Sequence, residues 1–318
     1  MQAELIINNI CNLSCKHCFQ GNTKLVGTPL SVIEWVETIR KLAPYVDHYH
    51  FAGKEPLLDS KIFSLIYFIP SDKTFSLVTN GVNIPTYIRY LAPTQYPNLT
   101  DVGVSIDSFM GDESVRPFQE INNIKMLTDL GVHVTAYLTL TSLNYKNLIP
   151  NIQKLQEVGV NDFWIIPVLA LGKTPKELIL SPLQLIETLR FLEHEVLWGN
   201  FTVDVKGGYA EAIKSEKFDF ITNVHLRVEF SCEKFVNRIV ITPDGEVLGC
   251  GFEYSDGYDR RSSGNIVLDD VEELLEAGDR SRERNREFAT VCKENNQCSY
   301  CRDLCPLMNF CYKDGVEM

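Results

Sequence analysis

The sequence predicts an α/β protein, a partial (β/α)6 TIM-like barrel over residues 1–205 followed by a small cysteine-rich domain with a β-hairpin over residues 206–318. Three observations carry that prediction. Short runs rich in Ile, Leu and Val alternate with stretches of helical period through the first two thirds of the chain. The pattern changes after about residue 205, and the cysteines fall in two groups, three within residues 11–18 and seven between 232 and 311.

Residues 3–10 are Ile- and Leu-rich with little alternation, as expected of a strand buried on both faces of a parallel sheet. A cysteine loop follows, and then a helix with Thr28 as its N-cap, Pro29 at its first position and Val32, Ile33, Val36 and Ile39 at helical spacing. Further strands are expected near 46–52, 74–79, 101–106, 132–140 and 162–168, with helices at 59–69, 83–92, 117–130, 146–158 and 182–197. Strand and helix pairs in series imply right-handed crossovers and a parallel sheet, in which chemistry sits at the C-terminal strand ends. Beyond residue 205, Asn237 to Phe252 reads as a hairpin, with two apolar runs joined by the turn residues Pro243, Asp244 and Gly245. A charged helix is expected over roughly 269–288, then a cysteine-dense tail that thiolate ligation would order. The stretch Ser255 to Ser263 reads as a solvated loop, with a border of the substrate channel as the alternative.

The composition narrows the function classes. With 45% hydrophobic and 23% charged residues the chain is ordinary globular material. No apolar run spans a bilayer and the N-terminus lacks a signal-peptide pattern, so a cytoplasmic location is expected. A formal net charge of -12 disfavours a nucleic-acid substrate and leaves peptides or small molecules. Ten cysteines in a reducing compartment point to metal or cluster ligation rather than disulfides.

Cys11, Cys15 and Cys18 have the spacing Cys-x3-Cys-x2-Cys in the loop after the first strand. Three thiolates so placed can hold three irons of a [4Fe-4S] cubane and leave the fourth open. A zinc loop completed by His17, or three unliganded thiols, are the alternatives. With these residues in place, the sequence resembles the radical S-adenosylmethionine (radical SAM) superfamily, whose motif is Cys-x3-Cys-x-aromatic-Cys, with His17 at the aromatic position. Gly53-Lys54-Glu55-Pro56 resembles that family's Gly-Gly-Glu-Pro, which holds the methionine amino group of the cofactor. Thr79-Asn80-Gly81 and Ser105-Ile106-Asp107 resemble its polar strand ends. The resemblance therefore implies S-adenosylmethionine binding by His17, Gly53, Lys54, Glu55, Asn80, Ser105 and Asp107. Lys54 stands where the family has a second glycine, and its side chain would either reach the cofactor carboxylate or point to solvent. Thr139 and Asn144 are open between cofactor contact and structural support.

The second group is Cys232, Cys250, Cys292, Cys298, Cys301, Cys305 and Cys311. Cys250 is expected on the return strand of the hairpin, and Cys298 with Cys301 makes a Cys-x2-Cys chelate. Cys232-x12-Gly245-x4-Cys250 and the connector Gly264-Asn265-Ile266 resemble the opening of the SPASM or twitch auxiliary-cluster domain. The order in the tail departs from the SPASM pattern. The resemblance implies one or two auxiliary [4Fe-4S] clusters, and seven thiols fall short of the eight that two fully cysteine-ligated cubanes need. A thiol left over, among Cys292, Cys305 and Cys311, would be a candidate hydrogen-atom donor.

Such an enzyme cleaves S-adenosylmethionine reductively to a 5'-deoxyadenosyl radical that abstracts a substrate hydrogen atom, drawing electrons from a flavodoxin- or ferredoxin-type donor. SPASM relatives imply modification of a ribosomally made peptide or a protein, by crosslinking, thioether formation, epimerisation or oxidation. A small-molecule dehydrogenase or epimerase of the aminoglycoside kind is the first alternative, favoured by a first strand that starts at residue 3 and leaves no room for a leader-binding domain before it. A non-catalytic iron-sulfur or zinc sensor is the second.

Overall fold

The computed structural model describes residues 1–280 except 108, 110–115, 117–119, 170, 172–173, 196, 207–208, 210–212, 214–215, 222, 230–236 and 257–261. Cys232, Cys292, Cys298, Cys301, Cys305 and Cys311 lie outside the described residues.

The described residues build one open sheet of ten strands with helices on its outer face. Six strands follow the expected series: β1 (Gln2–Ile6), β2 (His48–Ala52), β3 (Thr74–Thr79), β4 (Leu99–Ile106), β5 (Val134–Leu140) and β6 (Asp162–Pro167). Their crossovers carry α1 (Val32–Leu42), α2 (Lys61–Tyr67), α3 (Ile84–Tyr87), α4 (Ile121–Asp129) and α5 (Leu148–Glu157), and α6 (Pro182–His194) follows β6. The sheet then continues past the expected six strands through β7 (Asn200–Lys206) and β8 (Val224–Glu229), both parallel to their neighbours. At the other edge β9 (Arg238–Ile241) pairs parallel with β1, and β10 (Val247–Leu248) pairs antiparallel with β9, giving the order β10-β9-β1-β2-β3-β4-β5-β6-β7-β8. The expected hairpin therefore forms, and it joins the barrel sheet directly beside β1. Cys250 lies just past β10, at the start of a short 3-10 turn over Gly251–Glu253, rather than on the return strand.

The start of α1 differs from expectation. Ser31, not Thr28, is the N-cap, and its hydroxyl accepts from the Glu34 amide while the Glu34 side chain accepts from the Ser31 amide. This reciprocal cap satisfies two orphan donors at once, which a Thr28–Pro29 start does not offer. Trp35, Val36, Ile39 and Leu42 form the buried stripe of α1. They pack against Leu5, Tyr49, Phe51, Phe75 and Leu77 from the outer face of the sheet. Alternate positions face inward. There Ile6, Ala52, Val240, Leu248 and Tyr254 form a separate buried cluster that binds β1, β2 and the hairpin together.

The segment after the hairpin folds back onto α1. Residues 271–280 are helical, within the expected charged helix. Lys41 Nζ donates to the Ile266 carbonyl at 2.8 Å and to that of Asp269, and Tyr45 Oη donates to Glu272 at 3.0 Å.

Candidate active site at the C-terminal ends of strands β1 to β4

The cysteine loop leaves β1 at the C-terminal edge of the sheet. Its entry is tied to the end of β2: Asn8 Nδ2 donates to the Glu55 carbonyl at 2.9 Å, and the Glu55 amide donates to the Ile10 carbonyl at 3.0 Å. Inside the loop the Cys18 amide donates to the Cys15 carbonyl at 3.2 Å, and the Leu13 amide approaches Cys11 Sγ at 3.3 Å. Cys11 is exposed, Cys15 and Cys18 are half-buried, and all three are free thiols.

Glu55 is fully buried and joins three strand ends. Its Oε1 accepts from the Leu57 amide at 3.0 Å and from the Thr79 hydroxyl at 2.7 Å, while Oε2 accepts from the Asn80 amide at 2.7 Å. Burial raises its pKa, and the hydrogen bonds from Asn80, Thr79 and Leu57 oppose that rise. Asn80 carries the network on to the cysteines. Its Nδ2 donates to Asn12 Oδ1 at 2.8 Å and lies 3.7 Å from Cys11 Sγ, and its Oδ1 accepts from the Val82 amide.

A second buried group flanks Cys15. Arg116 Nη1 lies 3.5 Å from Cys15 Sγ, and Arg116 Nη2 lies 3.5 Å from Asp107 Oδ1. His17 Nδ1 lies 3.4 Å from the other Asp107 oxygen. The Asp107 side chain is fully buried, and those of Arg116 and His17 are 9% and 10% exposed. Burial lowers the His17 pKa, against the pull of Asp107. Burial also pushes the Cys15 thiol up to about 11, only partly offset by Arg116. Desolvation works against the Arg116 cation, and Asp107 and Cys15 outweigh it to raise its pKa.

The expected site residues, joined by Arg116, thus meet in a chain of contacts: Glu55 with Asn80, Asn80 with Cys11, Arg116 with Cys15, and Asp107 with Arg116 and close to His17. His17 Nδ1 faces Asp107 Oδ2 at 3.4 Å. Gly53 passes close to β1, where an added Cβ would sit 3.2 Å from Asn8 Oδ1. Lys54 and Ser105 are half-buried at the same end of the sheet, Ser105 in register with Tyr137 on β5. Asn144 serves as structural support: its Nδ2 donates to the carbonyls of Asp107 at 3.1 Å and Thr139 at 2.9 Å. Arg116 went unanticipated, although a buried Asp107 demands a cationic partner and so signals one.

The loop suits a cubane. Cys11, Cys15 and Cys18 follow one another in a single short loop, and a cubane sets each thiolate on its own iron. Asn80 and Arg116 supply donors beside two of the three sulfurs, the kind of surrounding that stabilises an anionic thiolate cluster.

The family model of the radical SAM superfamily matches residues 5–180. Among curated proteins, a probable GTP 3',8-cyclase of Methanocella arvoryzae is 31% identical over 107 residues, covering 33% of this chain and 34% of that protein. The chain thus spans about a third of the length of the curated relatives it matches. Among solved structures, SuiB of Streptococcus suis bound to S-adenosylmethionine matches 98% of this chain and 72% of its own, with a TM-score of 0.70 and 15% identity. A second crystal structure of SuiB is matched over 65% of its length. anSMEcpe with bound AdoMet and Kp18Cys peptide matches 100% of this chain and 92% of its own, with a TM-score of 0.63 and 18% identity.

Proposed function

This chain belongs to the radical SAM superfamily, and from that premise we propose that it modifies a ribosomally made peptide or a protein side chain. The observation that carries the reading is the likeness over the whole chain to anSMEcpe, in a structure with bound AdoMet and a peptide. SuiB, whose fold is also similar, has been crystallised with its precursor peptide.

When bound, the cluster and S-adenosylmethionine supply a one-electron reductive cleavage that yields a 5'-deoxyadenosyl radical and removes a substrate hydrogen atom. Cys11, Cys15 and Cys18 would hold the cluster. Glu55, committed to Leu57, Thr79 and Asn80, fixes the Gly53–Glu55 turn against which the methionine end of the cofactor would lie. Asn80, Ser105 and Asp107 line the same strand ends, and the buried Arg116–Asp107–His17 group holds the inner wall of the cysteine loop. Residues 206–318 are proposed as a SPASM- or twitch-like unit. Cys250 and the cysteines at 232, 292, 298, 301, 305 and 311 would hold one or two auxiliary clusters, and a spare thiol among the last would donate a hydrogen atom. A flavodoxin- or ferredoxin-type protein is the proposed electron donor. No helix among the described residues is long and apolar enough to cross a membrane, and the cytoplasm is the proposed location.

The test is mass spectrometry of short peptides encoded beside the gene, incubated anaerobically with the reconstituted protein, S-adenosylmethionine and dithionite. A peptide mass change that requires S-adenosylmethionine supports the reading. Its absence, together with conversion of GTP or an amino sugar, transfers the assignment to small molecules. The likeness to GTP 3',8-cyclases favours that second reading.

A further inference from the structure

We propose that Asp244 and Asp256, in the C-terminal hairpin turn and just beyond the hairpin, are positioning residues for the loop that carries Cys11, Cys15 and Cys18. The proposal rests on the reading of that loop as the cluster loop.

Residues 19–31 connect the cysteines to α1 without forming a strand or helix. Local turns serve the amides of Gly21 and Thr23, and those of Asn22, Val26, Gly27 and Leu30 find partners elsewhere. The C-terminal segment provides them. Asp244 Oδ2 accepts from the amides of Val26 at 2.8 Å and Gly27 at 2.9 Å, and Asp256 Oδ2 accepts from the Asn22 amide at 3.1 Å. The backbone adds two bonds, from the Asp256 amide to the Phe19 carbonyl at 2.9 Å and from the Leu30 amide to the Pro243 carbonyl at 2.8 Å. Phe19 also meets Phe252 edge to face, with ring centroids 5.3 Å apart.

Both carboxylates are built into place. Asp244 is 5% exposed and takes a third donor, the Thr242 hydroxyl at 2.6 Å, while its carbonyl accepts from Asn265 Nδ2 at 3.0 Å. Gly21 has φ +38, and a Cβ there would stand 2.8 Å from Asp256 Oδ2, so glycine is what lets this carboxylate approach the loop. Charge-assisted bonds to backbone amides are among the stronger ones available to a loop.

The consequence is topological. The cysteine loop enters from β1, which pairs with β9, and it leaves through Phe19, which is held by Phe252 and Asp256. The exit side of the loop is therefore held by a C-terminal segment more than 200 residues away in sequence, while its entry is held by β9 and, through Asn8 and Glu55, by the end of β2. Losing the aspartates would widen the range of positions open to the thiolates and weaken their joint hold on iron.

The test uses the anaerobically reconstituted full chain as wild type, Asp244→Asn, Asp256→Ala and the double variant. Two quantities are read: amide hydrogen exchange at Asn22, Val26 and Gly27, and the rate at which a chelator removes the iron whose electron paramagnetic resonance signal changes on adding S-adenosylmethionine. The double variant is expected to exchange and to lose that iron about tenfold faster, the scale of one lost charged hydrogen bond, while iron insensitive to S-adenosylmethionine leaves at the wild-type rate. Asp256→Ala, at a half-buried position, is expected to show the same direction with the melting temperature nearly unchanged. Wild-type rates in the double variant overturn the clamp. A wild type without responsive iron overturns the reading of the loop and the proposal with it, whatever the exchange data show.

Discussion

Arg116 reaches back 101 residues to place Nη1 3.5 Å from the sulfur of Cys15, while its Nη2 faces Asp107 at 3.5 Å. The guanidinium is nearly enclosed, and the carboxylate is wholly so. Removing one member of such a pair strands the other charge in a low-dielectric site. Arg116→Met is expected to cost about 3 kcal/mol in urea unfolding. Adding Asp107→Asn is expected to recover more than half of that loss, because the stranded anion is gone. Additive losses in the double variant would show that the two side chains do not interact.

Glu55 is the joint between β2, β3 and the cysteine loop. Glu55→Gln turns one acceptor into a donor facing a backbone amide of Asn80 or the donors on Oε1. The expected loss is roughly 2 kcal/mol of stability. Through Asn80, S-adenosylmethionine binding should weaken as well, read by calorimetry on the reconstituted protein. Unchanged affinity would show that Asn80 keeps its place without the carboxylate.

His50 is expected to carry part of the acid response. Its Nδ1 lies 2.8 Å from Ser76 Oγ, and burial, with Arg238 and His48 adding to it, pushes its pKa down to about 3. A base whose folded pKa is lowered takes up its proton more readily in the unfolded chain. Stability is therefore complete above the unfolded value of about 6.5 and is lost as the pH falls from there toward the folded value. Melting temperatures of the iron-free chain at pH 7.5 and pH 5 should differ less in His50→Asn than in wild type. An equal drop in both would assign the acid limb to other groups.

The front cysteines and the C-terminal ones should separate in an iron count. Cys11→Ala/Cys15→Ala/Cys18→Ala is expected to keep about four irons per auxiliary cluster present, so about four means one and about eight means two. Cys250→Ala on that background should lower the remainder. A triple variant free of iron and sulfide would remove the auxiliary clusters from the account.

Local signals made β1 through β6 legible, since each is an apolar run between helical stretches, and the cysteine spacing marked the loop. Thr28-Pro29 imitates a helix start, whereas the N-cap of α1 is Ser31, which with Glu34 offers two reciprocal bonds. The pairing of β9 with β1 was hidden for a different reason. It joins Gln2 to Arg238, and no local periodicity records a partner that distant. The same applies to the site: Asn80 and Glu55 stand in recognisable motifs, but Arg116 is an isolated arginine whose partner Asp107 is revealed only when burial is known.

The measurement that tests the account most directly is formation of 5'-deoxyadenosine. Oxygen-protected, reconstituted protein with S-adenosylmethionine and dithionite is expected to yield that nucleoside by mass spectrometry, and single alanine variants of Cys11, Cys15 or Cys18 are expected to yield none. No nucleoside from wild type carrying an intact cluster, or undiminished nucleoside from the variants, would contradict the assignment of these three thiols to the reactive iron site.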